Sequence, residues 1–401
     1  LDGSVRVISD VQRRARLVLR HGLGRSYAGV AEATAAMTCW HATEPASVHL
    51  AAFARTGCSR ADVDAALYVD RSVVKQLAMR RTVFAFPPAL LPAVWGSAAA
   101  RVAAQQRAQL ARDVERYGVS QDGPAWVATA CAAVLELVRS APATTSELRA
   151  ALPMLDARMS LSPDKAWGAE VSVAPRVLTT LAADGSVVRG ENDGGWKASR
   201  PRWTAVEDWL PGAGRLDESA GYAALVRSWL WTFGPGTADD LTWWLGATKA
   251  AVRRALADVG AVEVTLEAGR TGHLLADDLD DVAVPAPVAA LLPALDPTIM
   301  GWKERGFYLG PHAGALFDRN GNGGPSAWWD GRVVGGWRQR DDGTVVVVEA
   351  EPLPVAARRA LAREAERLGA WLAGDVVRSV YQSPLARADA ERGAEGVRPS
   401  G

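Results

Sequence analysis

Three stretches of the chain repeat one pattern of polar and apolar positions. Each begins with a helix opened by a hydroxyl residue. A second helix ends in a Leu-Ala pair, and a short β-rich run follows. The first copy runs from Ser59-Arg60-Ala61-Asp62-Val63 to Leu77-Ala78-Met79-Arg80-Arg81-Thr82-Val83-Phe84. The second runs from Thr145-Ser146-Glu147-Leu148 to Leu181-Ala182-Ala183-Asp184-Gly185-Ser186-Val187-Val188. The third runs from Thr237-Ala238-Asp239-Asp240-Leu241 to Leu256-Ala257-Asp258-Val259-Gly260-Ala261-Val262. Ser and Thr open helices because the side-chain oxygen satisfies an orphan N–H. Gly185 and Gly260 close them because Gly tolerates the left-handed terminal conformation. Hairpin arms follow in the second copy (186–189 and 195–199, around Asn192-Asp193-Gly194) and in the third (261–266 and 272–276). Helix, helix, hairpin is the grammar of a winged helix, and its repetition points to a tandem array. The second copy carries an insertion at 153–172. Farther on, 331–337 and 344–348 read as strands joined by Asp341-Asp342-Gly343. Residues 354–373 read as a helix with Leu361, Leu368 and Leu372 inward, and the chain after Ser383 reads as a frayed tail.

Length bounds this organisation. The 401 residues suffice for several domains with buried cores. Their 49% hydrophobic and 22% charged content is that of a globular protein, with no apolar run long enough to span a bilayer. The segment Leu1-Asp2-Gly3-Ser4 lacks a signal-peptide core, and three cysteines without paired spacing give neither a disulfide framework nor a zinc site. The expected compartment is a reducing cytoplasm. Net charge is zero, but residues 1–116 hold 16 Lys and Arg against 9 Asp and Glu, whereas 205–296 hold 6 against 14. The N-terminal third is therefore the better face for a polyanion. Of the 45 basic residues 40 are Arg, which suits bidentate phosphate contacts and equally suits a GC-rich genome.

Scarce chemistry is concentrated in Cys39-Trp40-His41-Ala42-Thr43-Glu44-Pro45, since the chain has only five histidines. The sequence predicts a helical stretch ending at Pro45, with irregular backbone where His41 and Thr43 converge on one small ligand such as water. His21, His49, His273 and His312 have no partner pattern and read as structural or exposed. An array of this type also predicts basic helices at 71–81, carrying Arg71, Lys75, Arg80 and Arg81, and at 249–254, either of which can enter a DNA groove. Winged helices equally serve as protein-interaction modules. No zinc, Walker or Rossmann pattern is present, so no metal or cofactor is expected.

The stretch 301–340 contains Gly301-Trp302-Lys303, Phe317-Asp318-Arg319-Asn320-Gly321-Asn322 and Asp330-Gly331-Arg332-Val333-Val334-Gly335-Gly336-Trp337. These segments resemble the C-terminal signature of the AlkZ-like family of bacterial winged-helix DNA glycosylases. Leu77-Ala78-Met79-Arg80-Arg81-Thr82 and Ser383-Pro384-Leu385 extend the resemblance over nearly the whole chain. It implies a concave tandem winged-helix scaffold on double-stranded DNA that removes alkylated purines, above all bulky N7-alkylguanine adducts and interstrand crosslinks. It also implies a C-terminal β-hairpin at 337–345 that reaches the DNA. The family's catalytic pair, Gln-x-Gln or Gln-x-Asp, falls on His41 and Thr43, so both expected residues are replaced.

N7-alkylation makes guanine a cationic leaving group, so the enzyme mainly has to position water at C1′ and tolerate an oxocarbenium ion. Neutral His41 can act as a weak general base, Thr43 can orient the water, and Glu44 can stabilise positive charge at the sugar. Three alternatives stand: a working variant of the motif, a decayed motif on a protein that binds damage without cutting, or a core histidine with the chemistry elsewhere. Lys303, Arg305, Arg319 and Asn320, with Arg338 and Arg340 on the hairpin, are candidate DNA contacts. The competing reading of the loop residues is internal hydrogen bonding and ion pairing. Trp328 and Trp329 read as core.

The expected fold is mainly α with small β-wings: tandem winged helices around a DNA-binding cleft. Five segments are expected: 1–120 with the catalytic motif, 121–212, 213–290, 291–385 with the hairpin and helix, and a flexible tail at 386–401. The expected function is a monomeric, monofunctional DNA glycosylase, since no lysine in 1–74 offers a Schiff base there. The resemblance implies a role in repair or in self-resistance to a DNA-alkylating natural product. The alternative is a damage-binding or transcription-regulating winged-helix protein.

Overall fold

The computed structural model describes residues 6–161 and 169–395. The chain forms two compact units, residues up to 63 together with those from 226 onward, and residues 64–225. This division is coarser than the five segments read from the sequence.

In the 64–225 unit, strands Val74–Ala78 and Thr82–Phe86 form an antiparallel hairpin. The helix expected over 71–81 is therefore absent. Both faces of this hairpin are largely buried, and β-pairing of an apolar run outweighs the helical spacing of its basic residues. The first copy of the pattern thus departs from the other two: helix Arg60–Asp64 runs on as a π-helical turn, Ala65–Val69, and leads to the hairpin without a second helix. Helices Ala98–Arg116 and Gly123–Ser140 pack on each other. The second copy keeps its order. Helix Thr145–Ala151 is capped by Thr144, one residue before the expected position, in a reciprocal capping box with Glu147. Helix Ala174–Ala183 follows, and then the hairpin Val187–Asn192 with Pro201–Ala205. The return strand lies later than 195–199, which belongs to the turn. The insertion holds a second hairpin, Arg158–Leu161 with Ala169–Ser172.

The other unit contains the third copy: helix Ala238–Leu245 capped by Thr237, helix Lys249–Asp258, and hairpin Val262–Leu266 with Thr271–Leu274. Gly260 has φ +63°, as its terminating role requires. Strand Val7–Ile8 adds in parallel to this hairpin. A four-stranded antiparallel sheet joins Ala289–Leu292, Ser326–Trp329, Arg332–Gln339 and Val345–Glu349 in that order. Asp330 and Gly331, at φ +50° and +69°, make the tight turn between its second and third strands. Helix Val355–Leu372 packs on this sheet through buried Leu361, Leu368 and Leu372. The expected frayed tail is instead a helix, Pro384–Glu395, packed against strand Arg332–Gln339; residues 396–401 lie outside the described residues. Ser383 is its cap, donating no space to spare: a side chain at Gly324 would meet the Ser383 backbone at 2.6 Å.

Buried polar groups fix the first helices of this unit. All five Arg55 donors are used: on His21 O (2.9 Å), Ala51 O (3.1 Å), both Asp296 oxygens (2.9 and 2.7 Å) and Thr298 Oγ1 (2.9 Å). His21 is bracketed by Thr298 Oγ1 and Thr232 O and stacked on Trp302. Among the described residues no helix is long and apolar enough to cross a membrane.

Candidate active site

Helix Val30–Ala36 ends at Met37, and Thr38, at φ +61°, turns the chain. Thr38 Oγ1 is held at 2.9 Å from both Ser228 Oγ and Thr232 Oγ1. The short strand Trp40–His41 follows, with Trp40 fully buried and His41 half-buried. Pro45 does not end a helix here. It opens one, Pro45–Thr56, with Glu44 as the preceding extended residue. The missing N–H of proline costs nothing at the first helical position, where no acceptor waits for it.

His41 and Thr43 therefore sit on the turn between a strand and a helix. The Thr43 amide donates to His41 Nδ1 at 3.4 Å. Thr43 is exposed. The Glu44 carboxylate is already engaged: it accepts from Ser379 Oγ (2.9 Å to each oxygen) and from the Val380 amide (2.6 Å). Burial pushes its carboxyl above the ordinary value, and these donors pull it partly back. Glu44 lines a cleft of about 1050 Å³ with Arg338, Arg340, Arg378, Ser379 and Arg392. Arg338 pairs with Asp389 (2.7 Å) and Arg378 with Asp341 (2.9 Å), whereas Arg340 is exposed and makes no ion pair among the described residues. The residues missed by sequence reasoning are those of 376–382, which bring Ser379 to Glu44. Their signal was Ser383-Pro384, a cap followed by a first-position proline.

The candidate DNA contacts fall into two groups. Arg80 and Arg81 are exposed at the tip of the Val74–Ala78 hairpin, both with positive φ. Lys303, Arg319 and Asn320 are also exposed. In their loop Asp318 accepts from the Asn320 and Asn322 amides and from Asn322 Nδ2, so its partner is Asn322 and not Arg319. The second group makes contacts within the protein, to carbonyls, rings or, for Lys75, a phenol. Arg71 donates to the Asp208 and Trp209 carbonyls and lies 4.2 Å from the Trp209 ring. Arg305 donates to Trp302 O and lies 4.3 Å from the Phe317 ring centre, and burial lowers its pKa. Lys75 is half-buried against Tyr68. Trp328 is buried, and Trp337 is buried with Nε1 on Leu292 O, so the exposed part of the hairpin is its 340–344 tip.

A family model described as DNA glycosylase AlkZ-like matches residues 34–371. The chain belongs to the AlkZ-like DNA glycosylase family. It is also similar in fold to a solved structure, the Streptomyces sahachiroi DNA glycosylase AlkZ, with a TM-score of 0.71 at 21% identity over 92% of this chain and 98% of that one. No individually curated protein matches the sequence. The family match includes the His41–Glu44 turn and ends before Ser379.

Proposed function

We propose that this protein hydrolyses the N-glycosidic bond of an alkylated purine in double-stranded DNA, with N7-alkylguanine adducts and crosslinks as the substrate class. Family membership supplies the reaction type. The observation that carries the site is the His41–Thr43 contact, made at the helix start where the family's catalytic pair falls. A cationic N7-alkylguanine needs no acid, so the turn has only to orient water toward C1′. The Thr43 hydroxyl can hold that water. His41, in its neutral form, can orient that water or take its proton as a weak general base. Glu44, with both oxygens engaged, contributes negative charge beside the developing oxocarbenium and fixes the turn. The winged-helix array, monofunctional chemistry and monomeric state belong to the same proposal, with Arg80, Arg81, Lys303, Arg319, Asn320 and Arg340 on phosphates.

The test is incubation with a duplex carrying one defined N7-alkylguanine adduct. The expected products are the free base and a heat-labile abasic site. Absence of release across small and bulky adducts, with DNA binding intact, would replace the proposal with a non-catalytic damage-binding or regulatory protein. Both Gln residues of the family pair are missing, which makes that the reading to exclude.

A further inference from the structure

Several arginines withdrawn from solvent have counter-charges. Arg16, Arg55 and Arg176 each have a carboxylate oxygen at 2.7 Å. Among the described residues Lys75 and Arg189 do not, and neither does Arg305, which instead donates to the Trp302 carbonyl and lies over Phe317. Lys75 and Arg189 lie on strands Val74–Ala78 and Val187–Asn192, which pack together within the 64–225 unit. Both side chains are half-buried, and among the described residues neither is in ion-pair contact with a carboxylate. Arg189 lies 5.0 Å from the Trp203 ring centre, reaches Ser199 Oγ only at 3.5 Å, and has a buried Nε with no partner. Lys75 donates to Tyr68 Oη at 2.5 Å and lies 4.7 Å from its ring centre.

Two like charges on strands that pack together, both partly desolvated, are unfavourable unless something compensates them. The ring contacts do not neutralise either charge. Nor does Tyr68, because burial and Asp64 raise its pKa and keep it a neutral phenol. Asp64 stands within electrostatic reach of Lys75 and favours its charge, but less strongly than burial and Arg189 oppose it: together these bring Lys75 down to about 8.

We propose that Lys75 and Arg189 form an oxyanion subsite that takes a phosphodiester group of DNA. This rests on the DNA-directed function proposed above. Arg189 supplies planar donors, Lys75 a point charge, and Trp203 and Tyr68 fix their directions. An arriving phosphate gives Lys75 its counter-charge, so the amine takes up a proton on binding near pH 8 and above. Binding to this subsite therefore weakens as pH rises through that region.

The experiment measures duplex affinity against salt for the full chain and for Lys75→Met, Arg189→Met and Arg189→Glu. Each loss of a phosphate-contacting cation reduces the slope of log K against log salt by about 0.9. Arg189→Glu is the decisive variant, because it gives Lys75 an internal partner. It is expected to melt no lower than wild type while losing slope. Wild-type affinity should fall between pH 8 and 10 more steeply than that of Lys75→Met. An unchanged slope in Arg189→Glu and Lys75→Met overturns the proposal. So does inorganic phosphate at millimolar concentration raising the Lys75 pKa when duplex does not, since the site then takes a small free anion. Base release is scored separately. Slope loss without release from wild type defeats only the glycosylase reading, and release with unchanged slopes defeats only the subsite.

Discussion

The two ends of helix Pro45–Thr56 are held in different ways. At the C-terminal end Arg55 is fully buried, all five of its donors are used, and its carboxylate partner Asp296 is itself buried. At the N-terminal end Glu44 is half-buried and held by the hydroxyl and amide of an irregular segment. One end is a dry, complete network that tolerates no vacancy. The other faces a cleft, with its polar groups on a turn that can adjust. Stability is concentrated at one end and the proposed chemistry at the other, about three helical turns away along the same element.

The sharpest way to break this contrast is Arg55→Ala. It leaves Asp296 charged and buried, and an expected loss of about 3–5 kcal/mol would show as a lower denaturant midpoint. A loss under 1 kcal/mol would mean the C-terminal end is not the anchor. At the other end, His41→Ala is expected to slow base release by on the order of 10²-fold while DNA affinity and melting temperature stay near wild type. Full activity in that variant would remove His41 from the mechanism. His41→Gln, which restores an amide, should retain measurable release.

Acid provides a subtler test of the buried end. Burial and the neighbouring Arg55 lower the His21 pKa from 6.5 to about 3. Between those values the unfolded chain binds a proton that the folded protein refuses, so stability falls as pH drops through this window. At pH 5 this one group is expected to cost about 2 kcal/mol, and His21→Gln should flatten the dependence measured by denaturant titration. The smallest effect is Glu44→Gln. Replacing a charged acceptor by a neutral one is expected to cost about 1 kcal/mol. If Glu44 positions the turn, its loss should appear in kcat for base release more than in KM.

Legibility in the sequence followed the same division. The third helix–helix–hairpin unit could be read because Thr237 and Gly260 punctuate both ends with residues whose local chemistry leaves little choice. The Arg332–Gln339 and Val345–Glu349 pair could be read from its turn. The 71–81 stretch could not, since Lys75 and Arg71 suggested a helical face while Val74, Gln76 and Leu77 were destined for burial on both sides of a strand. Pro45 looked like a stop and the chain after Ser383 like a frayed tail, yet Pro45 and Pro384 each begin a helix. The family position singled out His41 and Thr43, but the contacts of Glu44 come from more than 330 residues away, a distance no local pattern spans.

The family match stops at residue 371, yet Ser379 and Val380 grip the carboxylate beside the proposed catalytic pair. The C-terminal segment is thus a place where the turn can be retuned without altering any residue of the motif. Variation at residues 376–382 changes the support of Glu44 while His41 and Thr43 stay as they are. For the engineer the same segment is the natural library: short, irregular and adjacent to the proposed chemistry.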